Sequence, residues 1–340
     1  MMRMRTSAPG KVVLTGEYAV LEGAPAIVMA VDRRARVCVS KADGDRHRVS
    51  APGLLDGEVD FPTGSTSQVA SRDADTGGVS LDLSLVEQVL VAVGTYAIRE
   101  SLHLELDTRP FFHERKQVKL GFGSSAALAV ALTAALLQAG ERSHDVASTA
   151  LAAHRAWQGG RGSGVDVAAA VHGGILAYRA AAGTAIEVLH WPQGLCHALL
   201  WSGRPSSTRN RIGEFRESAR RHGAAGRLVQ AAEEIADTWR RGDARAILDG
   251  VSRYVPVLAA FDVDRDLGIF DAGHRELADT AGSRVVYKPC GAGGGDIGIA
   301  LALTEDDLDG FVEKAQALGF ERLNAMPDAR GVRYSPGMSR

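Results

Sequence analysis

A turn of glycine and serine runs directly into a long apolar segment at residues 119–140, KLGFGSSAALAVALTAALLQAG. The apolar run at 126–137 is interrupted only by Thr133, and it falls short of the roughly 20 residues that a membrane span requires. We expect it to form a buried helix that holds the preceding turn in place. This segment constrains the fold most, because it joins a turn of special backbone shape to the core.

The composition is that of an ordinary globular protein. The chain has 340 residues, of which 45% are apolar and 24% charged, enough for two domains or one large one. Its net charge of −2 offers no electrostatic basis for binding nucleic acid. A small anionic ligand needs only local positive charge and stays possible.

The cysteines and the N-terminal residues indicate the cellular compartment. Three cysteines, far apart, suggest neither a disulfide framework nor a zinc site, and they are typical of a reducing cytosol. The basic start MMRMRTSAPGKVVL is followed by too few apolar residues for a signal peptide. We expect a cytoplasmic protein with no membrane partner.

Strand and helix patterns alternate along the chain, which indicates a mixed α and β class with a boundary near 180–195. Residues 42–80 are predicted to form hairpins and loops. Strands are predicted at 11–15, 35–40, 102–108, 175–179, 196–202 and 284–289, and a second apolar strand follows the glycines of 291–296. Helices are predicted at 80–101 (capped by Ser80), 143–158, 210–223, through 226–260, at 265–281 and at 305–318.

The glycine-serine turn has two interpretations. Gly121 and Gly123 permit close backbone approach, and Ser124 and Ser125 offer a cap and hydroxyl donors where a helix starts. Free N–H groups at such a start bind anions well. The turn lacks the G-K-[ST] ending of a Walker loop, so a capped core helix is an equal alternative.

Three further stretches carry candidate chemistry. Lys11 follows Pro-Gly at a strand start and either points into a site or is a solvated lysine. Asp166 enters a helix after GSG and either faces a reacting centre or stabilises the first helical turn. The segment KPCGAGGGDIGIAL at 288–301 has five glycines in eight residues, more than a simple hairpin needs.

The order and spacing of these stretches resemble the GHMP kinases, with motifs at 7–32, 119–132 and 288–301. The resemblance implies an α+β, two-domain fold. Its N-terminal domain would be mixed α/β and nucleotide-binding, at 1–182, and its C-terminal domain ferredoxin-like, at 183–340. The active site would lie in the cleft between the two.

Several details resemble the phosphomevalonate kinases within that family. They are GEYAV at 16–20, Lys119 before the glycines, the AHRAWQGGRGSGVDVAAAVHGG segment, LLWSGRPSSTRNRI at 199–212 and the KPCGAGGGD loop. The resemblance implies ATP-dependent phosphorylation of 5-phosphomevalonate to the diphosphate, in isoprenoid biosynthesis. The alternatives are a mevalonate kinase or another GHMP kinase for a small hydroxy or phospho acid and, from another class, a non-catalytic binding protein.

The resemblance also implies site residues. Lys11 and Asp166 would be catalytic. A phosphate acceptor is already mostly dianionic at pH 7, so we expect Lys11 to neutralise charge and Asp166 to position Lys11 or the metal rather than to remove a proton. ATP would contact Lys119, Gly121, Gly123, Ser124, Ser125, Ala126, Gly293 and Gly294, and Mg²⁺ would contact Ser124 and Ser125. The acceptor would contact Lys11, Glu17, Tyr18, Arg161, Ser163, Gly164, Ser207, Gly291 and Ala292.

An acceptor with both a carboxylate and a phosphate needs more than one cation. Candidates near the motifs are Lys119, Arg155, Arg161, Arg204 and Lys288, and at each a solvated surface charge is an equal alternative. Arg161 stands out because it lies inside the glycine turn before Asp166. The chain is expected to act as a monomer or homodimer.

Overall fold

The computed structural model describes residues 4–55, 57–62, 83–94, 100–140, 145–160, 162–180, 185–206, 215 and 225–335. The predicted helix at 210–223, the cap at Ser80, and the candidates Arg161 and Ser207 lie outside the described residues, apart from Phe215.

Two sheets carry the strands of the described chain. These are β1 (Met4–Thr15), β2 (Pro25–Lys41), β3 (Arg46–Ser50), β4 (Glu58–Pro62), β5 (Leu102–Asp107), β6 (Ile175–Arg179), β7 (Ala185–Leu189), β8 (Cys196–Trp201), β9 (Val285–Pro289), β10 (Ile297–Ala302), β11 (Glu321–Leu323) and β12 (Arg333–Ser335). The first sheet has the order β12-β1-β2-β5-β3-β4, with β6 paired to β2 and β7 to β6. The second is antiparallel, with the order β11-β8-β10-β9.

The α-helices described lie along both halves of the chain. They are α1 (Leu83–Val93), α2 (Ser124–Ala139), α3 (Val146–Trp157), α4 (Val165–His172), α5 (Gly226–Arg241), α6 (Ala244–Arg265), α7 (His274–Asp279) and α8 (Glu305–Ala317). Short 3₁₀ turns lie at Ala19–Glu22 and Arg109–Phe111. None of the helices in the described ranges is long and apolar enough to cross a bilayer.

The helix α2 is the centre of the first half, as the apolar run predicts. Every residue from 126 to 137 is buried, and α2 packs on β1 and β2 as well as on α1, α3 and α4. The prediction that Ser124 or Ser125 caps the start of α2 is wrong. Gly123, which has no side chain, is the N-cap at φ 75°. Its left-handed backbone, which glycine adopts without steric cost, therefore turns the chain into the helix.

The other strands and helices predicted within the described residues were confirmed, with two differences. The strands β1 and β2 are longer than the β-branched runs, since both lie in the middle of a buried sheet. The helix predicted at 265–281 is wrong, because the chain turns from Asp266 to Gly273 before α7. The cause is Asp262, whose carboxylate accepts hydrogen bonds from the N–H groups of Ile269 and Phe270 and ends α6 there.

The boundary at 182/183 stays a prediction. The first sheet takes strands from both sides of it, since β7 pairs with β6 and β12 pairs with β1. All three cysteines, Cys38, Cys196 and Cys290, are free, in agreement with the absence of a disulfide framework expected from their number.

Candidate active site

An open cleft lies between the second and third glycine-rich stretches, beside Lys11. It is lined by Lys11, Val13, Glu17, Tyr18, Val20, Leu21, His154, Gln158, Gly162, Ser163, Gly164, Val165, Asp166, Gly291 and Ala292. Eight of the residues predicted as catalytic or acceptor-binding are among them. Lys11 is the only lysine or arginine in this lining, as far as the described residues go.

Lys11 is held against the glycine-serine turn. Its backbone N–H donates to the carbonyl of Phe122 at 2.8 Å. Its side chain then passes Gly123 so closely that a Cβ there would lie 2.9 Å from the Lys11 Cε. The glycine is therefore required twice, for its positive φ and for the passage of the lysine. Lys11 is 7% exposed, so the solvated-lysine alternative does not apply.

Asp166 reaches Lys11 from the second glycine turn. The Lys11 Nζ lies 3.5 Å from the Asp166 Oδ1. Gly164 caps α4 at φ 92°, and a Cβ there would meet the Tyr178 hydroxyl at 2.8 Å. That hydroxyl donates to the carbonyl of Ser163 at 2.6 Å, so the turn is fixed.

The candidate cation Arg155 does not line the cleft. Its Nη2 donates to the Ser163 carbonyl at 3.1 Å. It supports the second glycine turn from behind.

The third glycine turn is held by Tyr18 and by Ile269. Tyr18 donates its hydroxyl to the carbonyl of Ala292 at 2.6 Å. Gly293 has no room for a side chain, since a Cβ would lie 2.5 Å from the carbonyl oxygen of Ile269. The N–H of Gly294 donates to that same oxygen at 2.9 Å. The loop is thus anchored where α6 ends, and Gly291 and Ala292 face the cleft.

Glu17 and Lys288 pair with each other beneath this turn. The Lys288 ammonium donates to the Glu17 Oε1 and to the carbonyl of Pro289, and both side chains are 1% exposed. The other oxygen of Glu17 accepts from the Tyr254 hydroxyl at 3.1 Å. Lys288 therefore does not offer its charge to an acceptor, contrary to its place among the candidate cations.

Asp296 lies over the glycine-serine turn and was missed in the sequence. A Cβ on Gly121 would lie 2.5 Å from the Asp296 Cβ. Its Oδ1 accepts from the N–H of Ser206 at 3.1 Å. Burial raises its pKa to about 6, opposed by Ser206 and by the charges of Lys11 and Lys119. The signal available in the sequence was an aspartate that closes a glycine run, and the structure gives this residue a φ of 55°.

The serines after the glycines differ in their surroundings. The Ser125 hydroxyl is 3.1 Å from the Nε2 of His154, which lines the cleft. Ser124 is the first residue of α2.

The donor set can be compared with what Mg²⁺ requires. In phosphoryl-transfer sites this ion takes one or two protein oxygens together with phosphates and water. Across the described residues, no group of three or more His, Cys, Asp or Glu could hold a metal ion by itself. Ser124 and Asp166 carry oxygen donors of the kind that such an ion takes.

Two candidate cations lie on the surface. Lys119 and Arg204 are exposed, and the Arg204 carbonyl accepts from the N–H of Asp296 at 2.7 Å. Lys119 acts on the site through its charge on Asp296. An acceptor with two anionic groups needs a second cation. The described residues that line the cleft do not supply one.

Comparison with known proteins gives consistent results. Residues 85–174 match the family model for the GHMP kinases N terminal domain. The chain is 30% identical to a phosphomevalonate kinase of Streptomyces sp. (strain CL190), over 96% of this chain and 97% of that one. It is 24% identical to a mevalonate kinase of Arabidopsis thaliana, over 97% and 99% of the two chains.

A solved structure shows a similar fold. It is the phosphomevalonate kinase of Streptococcus pneumoniae in complex with phosphomevalonate and AMPPNP, with a TM-score of 0.77 at 21% identity. The alignment covers 96% of this chain and all of that one.

Proposed function

The chain belongs to the GHMP kinase family, and on that premise we propose that it transfers the γ-phosphoryl group of ATP to the phosphate of 5-phosphomevalonate, with Mg²⁺ as cofactor. The observation that carries the proposal is the position of Lys11. Its side chain passes Gly123 of the glycine-serine turn and ends 3.5 Å from Asp166, which lies in the first turn of α4. The full-length similarity to the Streptomyces phosphomevalonate kinase supports the choice of acceptor.

The ATP phosphates would bind at the start of α2. The first N–H groups of a helix have no partner within it, and they carry the positive end of the helix dipole. Gly121 and Gly123, both with positive φ, shape the backbone in front of them. The loop at 291–296, with Gly293 and Gly294, would lie along the other side of the phosphates, as in the sequence-based prediction.

The chemistry requires positioning and neutralisation of charge. An oxygen of the acceptor phosphate attacks the γ-phosphorus, and the bond from that phosphorus to the β,γ-bridging oxygen breaks, so that ADP leaves with this oxygen. The acceptor is mostly dianionic at pH 7, so no base is needed. Lys11 would offset the repulsion between the two phosphates, and Asp166 would hold the ammonium in place.

Mg²⁺, held by ATP and by oxygens of Ser124 and Asp166, would supply further positive charge. Ser125 was a second candidate ligand. Its contact with His154 places its hydroxyl beside an imidazole, which favours Ser124 for the metal.

A coupled assay of ADP release tests the proposal. Mevalonate, 5-phosphomevalonate and homoserine are offered separately at equal concentration, with ATP and Mg²⁺. We expect turnover to be fastest with 5-phosphomevalonate. Preference for either of the other two acceptors contradicts the assignment, and absence of turnover with all three favours the non-catalytic alternative.

Mevalonate kinase is the second candidate, and one observation favours it. Lys11 is the only lysine or arginine among the described residues that line the cleft, which suits an acceptor with a single anionic group. Arg161, predicted to contact the acceptor, decides between the two. With Arg161→Ala, a phosphomevalonate kinase should show a raised KM for its acceptor, whereas a mevalonate kinase should be little changed.

A further inference from the structure

The turn at residues 16–18 holds the third glycine turn by two separate bonds. Glu17 accepts a hydrogen bond from the Lys288 ammonium, and Tyr18 donates its hydroxyl to the carbonyl of Ala292. Lys288 lies near the end of the strand before the turn, and Ala292 lies within it. The two bonds therefore grip the turn at its base and at its tip.

The charges of the pair are satisfied entirely by protein groups. Lys288 also donates to the Pro289 carbonyl at 2.7 Å, and Tyr254 donates to the second oxygen of Glu17 at 3.1 Å. The Tyr254 oxygen in turn accepts from the N–H of Gly16 at 3.1 Å. Burial, and then the charge of Glu17, raise the pKa of Tyr254, so its hydroxyl keeps its proton and remains a donor. Neither charge of the pair is available to a substrate.

Tyr18 adopts a backbone that an aromatic residue rarely takes. Its φ of 59° lies in the left-handed region, where non-glycine residues carry strain. Its ring packs on Phe215 and Phe261, with centroids 5.3 and 5.8 Å away. The packing and the bond to Ala292 oppose relaxation of this turn. Strained residues of this kind are concentrated at functional sites.

We propose that Glu17 and Lys288 are positioning residues, which hold the turn at 291–292 over Lys11, and that Glu17 does not bind the acceptor. This inference rests on the proposed phosphoryl transfer. Gly291 and Ala292 share the cleft lining with Lys11 and Asp166, and a Cβ on Gly291 would lie 3.8 Å from the Lys11 Nζ. A shift of this turn therefore changes the space around the ammonium.

The effect of the pair is expected in kcat. Neither side chain offers a free polar group to a substrate. Loss of the pair should therefore leave the KM values for ATP and for the acceptor within about threefold of the wild type. Misplacement of the reacting groups should lower kcat about 10- to 100-fold. The variants are Glu17→Gln, Lys288→Met and the two combined. Each single variant leaves an unmatched group in a buried place and should lower Tm.

The double variant separates positioning from stability. It removes both buried charges, so its Tm should lie above that of either single variant. Its kcat should stay low, because the introduced methionine has no donor for the introduced glutamine or for the Pro289 carbonyl. A wild-type kcat in this double variant overturns the proposal. A tenfold rise in the acceptor KM with kcat retained also overturns it, since Glu17 would then bind the acceptor.

Tyr18→Phe provides a test that does not disturb the buried charges. It keeps the ring against Phe215 and Phe261 and removes the hydroxyl that bonds to Ala292. We expect kcat to fall about three- to tenfold, as is usual when one positioning contact near a reacting centre is lost. If kcat is unchanged in this variant, the turn is not held for catalysis and the proposal is wrong.

The pair of Arg34 and Asp328 is the matched control. Their side chains are 9% and 7% exposed, they are 2.5 Å apart, and neither lines the cleft. Arg34→Met combined with Asp328→Asn should lower Tm without changing kcat. If this control lowers kcat as much as the double variant at 17 and 288, the effect is general destabilisation and the proposal fails.

Amide hydrogen exchange of the substrate-free protein separates this inference from the proposed function. Exchange in residues 290–296 should be faster in the double variant at 17 and 288 than in the wild type or in the control. Unchanged exchange there overturns the inference, whichever acceptor the wild type uses. Absence of wild-type turnover with 5-phosphomevalonate contradicts only the proposed function.

Discussion

The ammonium of Lys11 lies 3.5 Å from the carboxylate of Asp166, although the two residues belong to a sheet strand and to a helix that begins at a separate turn. Lys11 reaches this position by passing Gly123 on the way. Asp166 therefore holds one side of the ammonium and leaves its other hydrogens for a ligand.

Replacement of either member should abolish most of the activity. Lys11→Met and Asp166→Ala are each expected to lower kcat by about 10² or more, the usual effect of removing one charge-stabilising group. Far-ultraviolet circular dichroism should be unchanged, since the fold does not depend on this pair. Lys41→Met, which removes an exposed partner of Glu100, is the control and should keep wild-type turnover. Near-normal kcat in either site variant would refute the assigned roles.

Gly121→Ala should lower Tm by more than the backbone strain of an alanine at this φ accounts for. Gly44 has the same φ of 92°, and no atom of the described residues lies within 4 Å of an added methyl group, so Gly44→Ala carries only the strain, about 1–2 kcal/mol. At Gly121 the methyl group also displaces Asp296. We expect a larger loss of Tm at 121 and at least tenfold weaker binding of AMPPNP by calorimetry. Equal effects at the two positions would show that Asp296 does not constrain this turn.

Relative to the wild type, Asp296→Asn should be more stable at high pH than at low pH. The folded-state pKa is raised from 3.8 to about 6, so the stability that this group contributes is present below pH 3.8 and is lost as pH rises through 6. The shift corresponds to roughly 3 kcal/mol. The free energy of unfolding of Asp296→Asn, relative to the wild type, should therefore be higher at pH 7.5 than at pH 4. A difference that is independent of pH contradicts the assignment.

His274→Gln should have the opposite dependence on pH. Burial lowers the pKa of His274 from 6.5 to about 4, so the stability that it contributes is present above pH 6.5 and is lost as pH falls through 4. The variant should thus lose less stability than the wild type on acidification, by roughly 3 kcal/mol. Urea unfolding at pH 7 and pH 4 measures this. A parallel loss in both proteins would mean that His274 is protonated in the fold.

Much of the fold and part of the site could be predicted from local patterns. The buried helix α2 follows from its unbroken apolar run, and the positions of the three glycine turns follow from their composition. Such features depend on backbone freedom and on hydrophobic periodicity, which are properties of neighbouring residues. Asp262 shows the limit of this reasoning, because its carboxylate binds two N–H groups beyond the end of α6 and stops a helix that the pattern continues.

The sequence by itself determined which residue types stand at the turns, including Lys11, Asp166 and the glycines around them. Only the tertiary structure decided their partners. Lys288 looked like a cation for an acceptor, yet it pairs with Glu17, 271 residues away, and Asp296 lies over Gly121. No local pattern encodes these contacts, because a buried charge takes whichever opposite group the packed chain brings within reach, and that depends on how the two sheets and their helices meet.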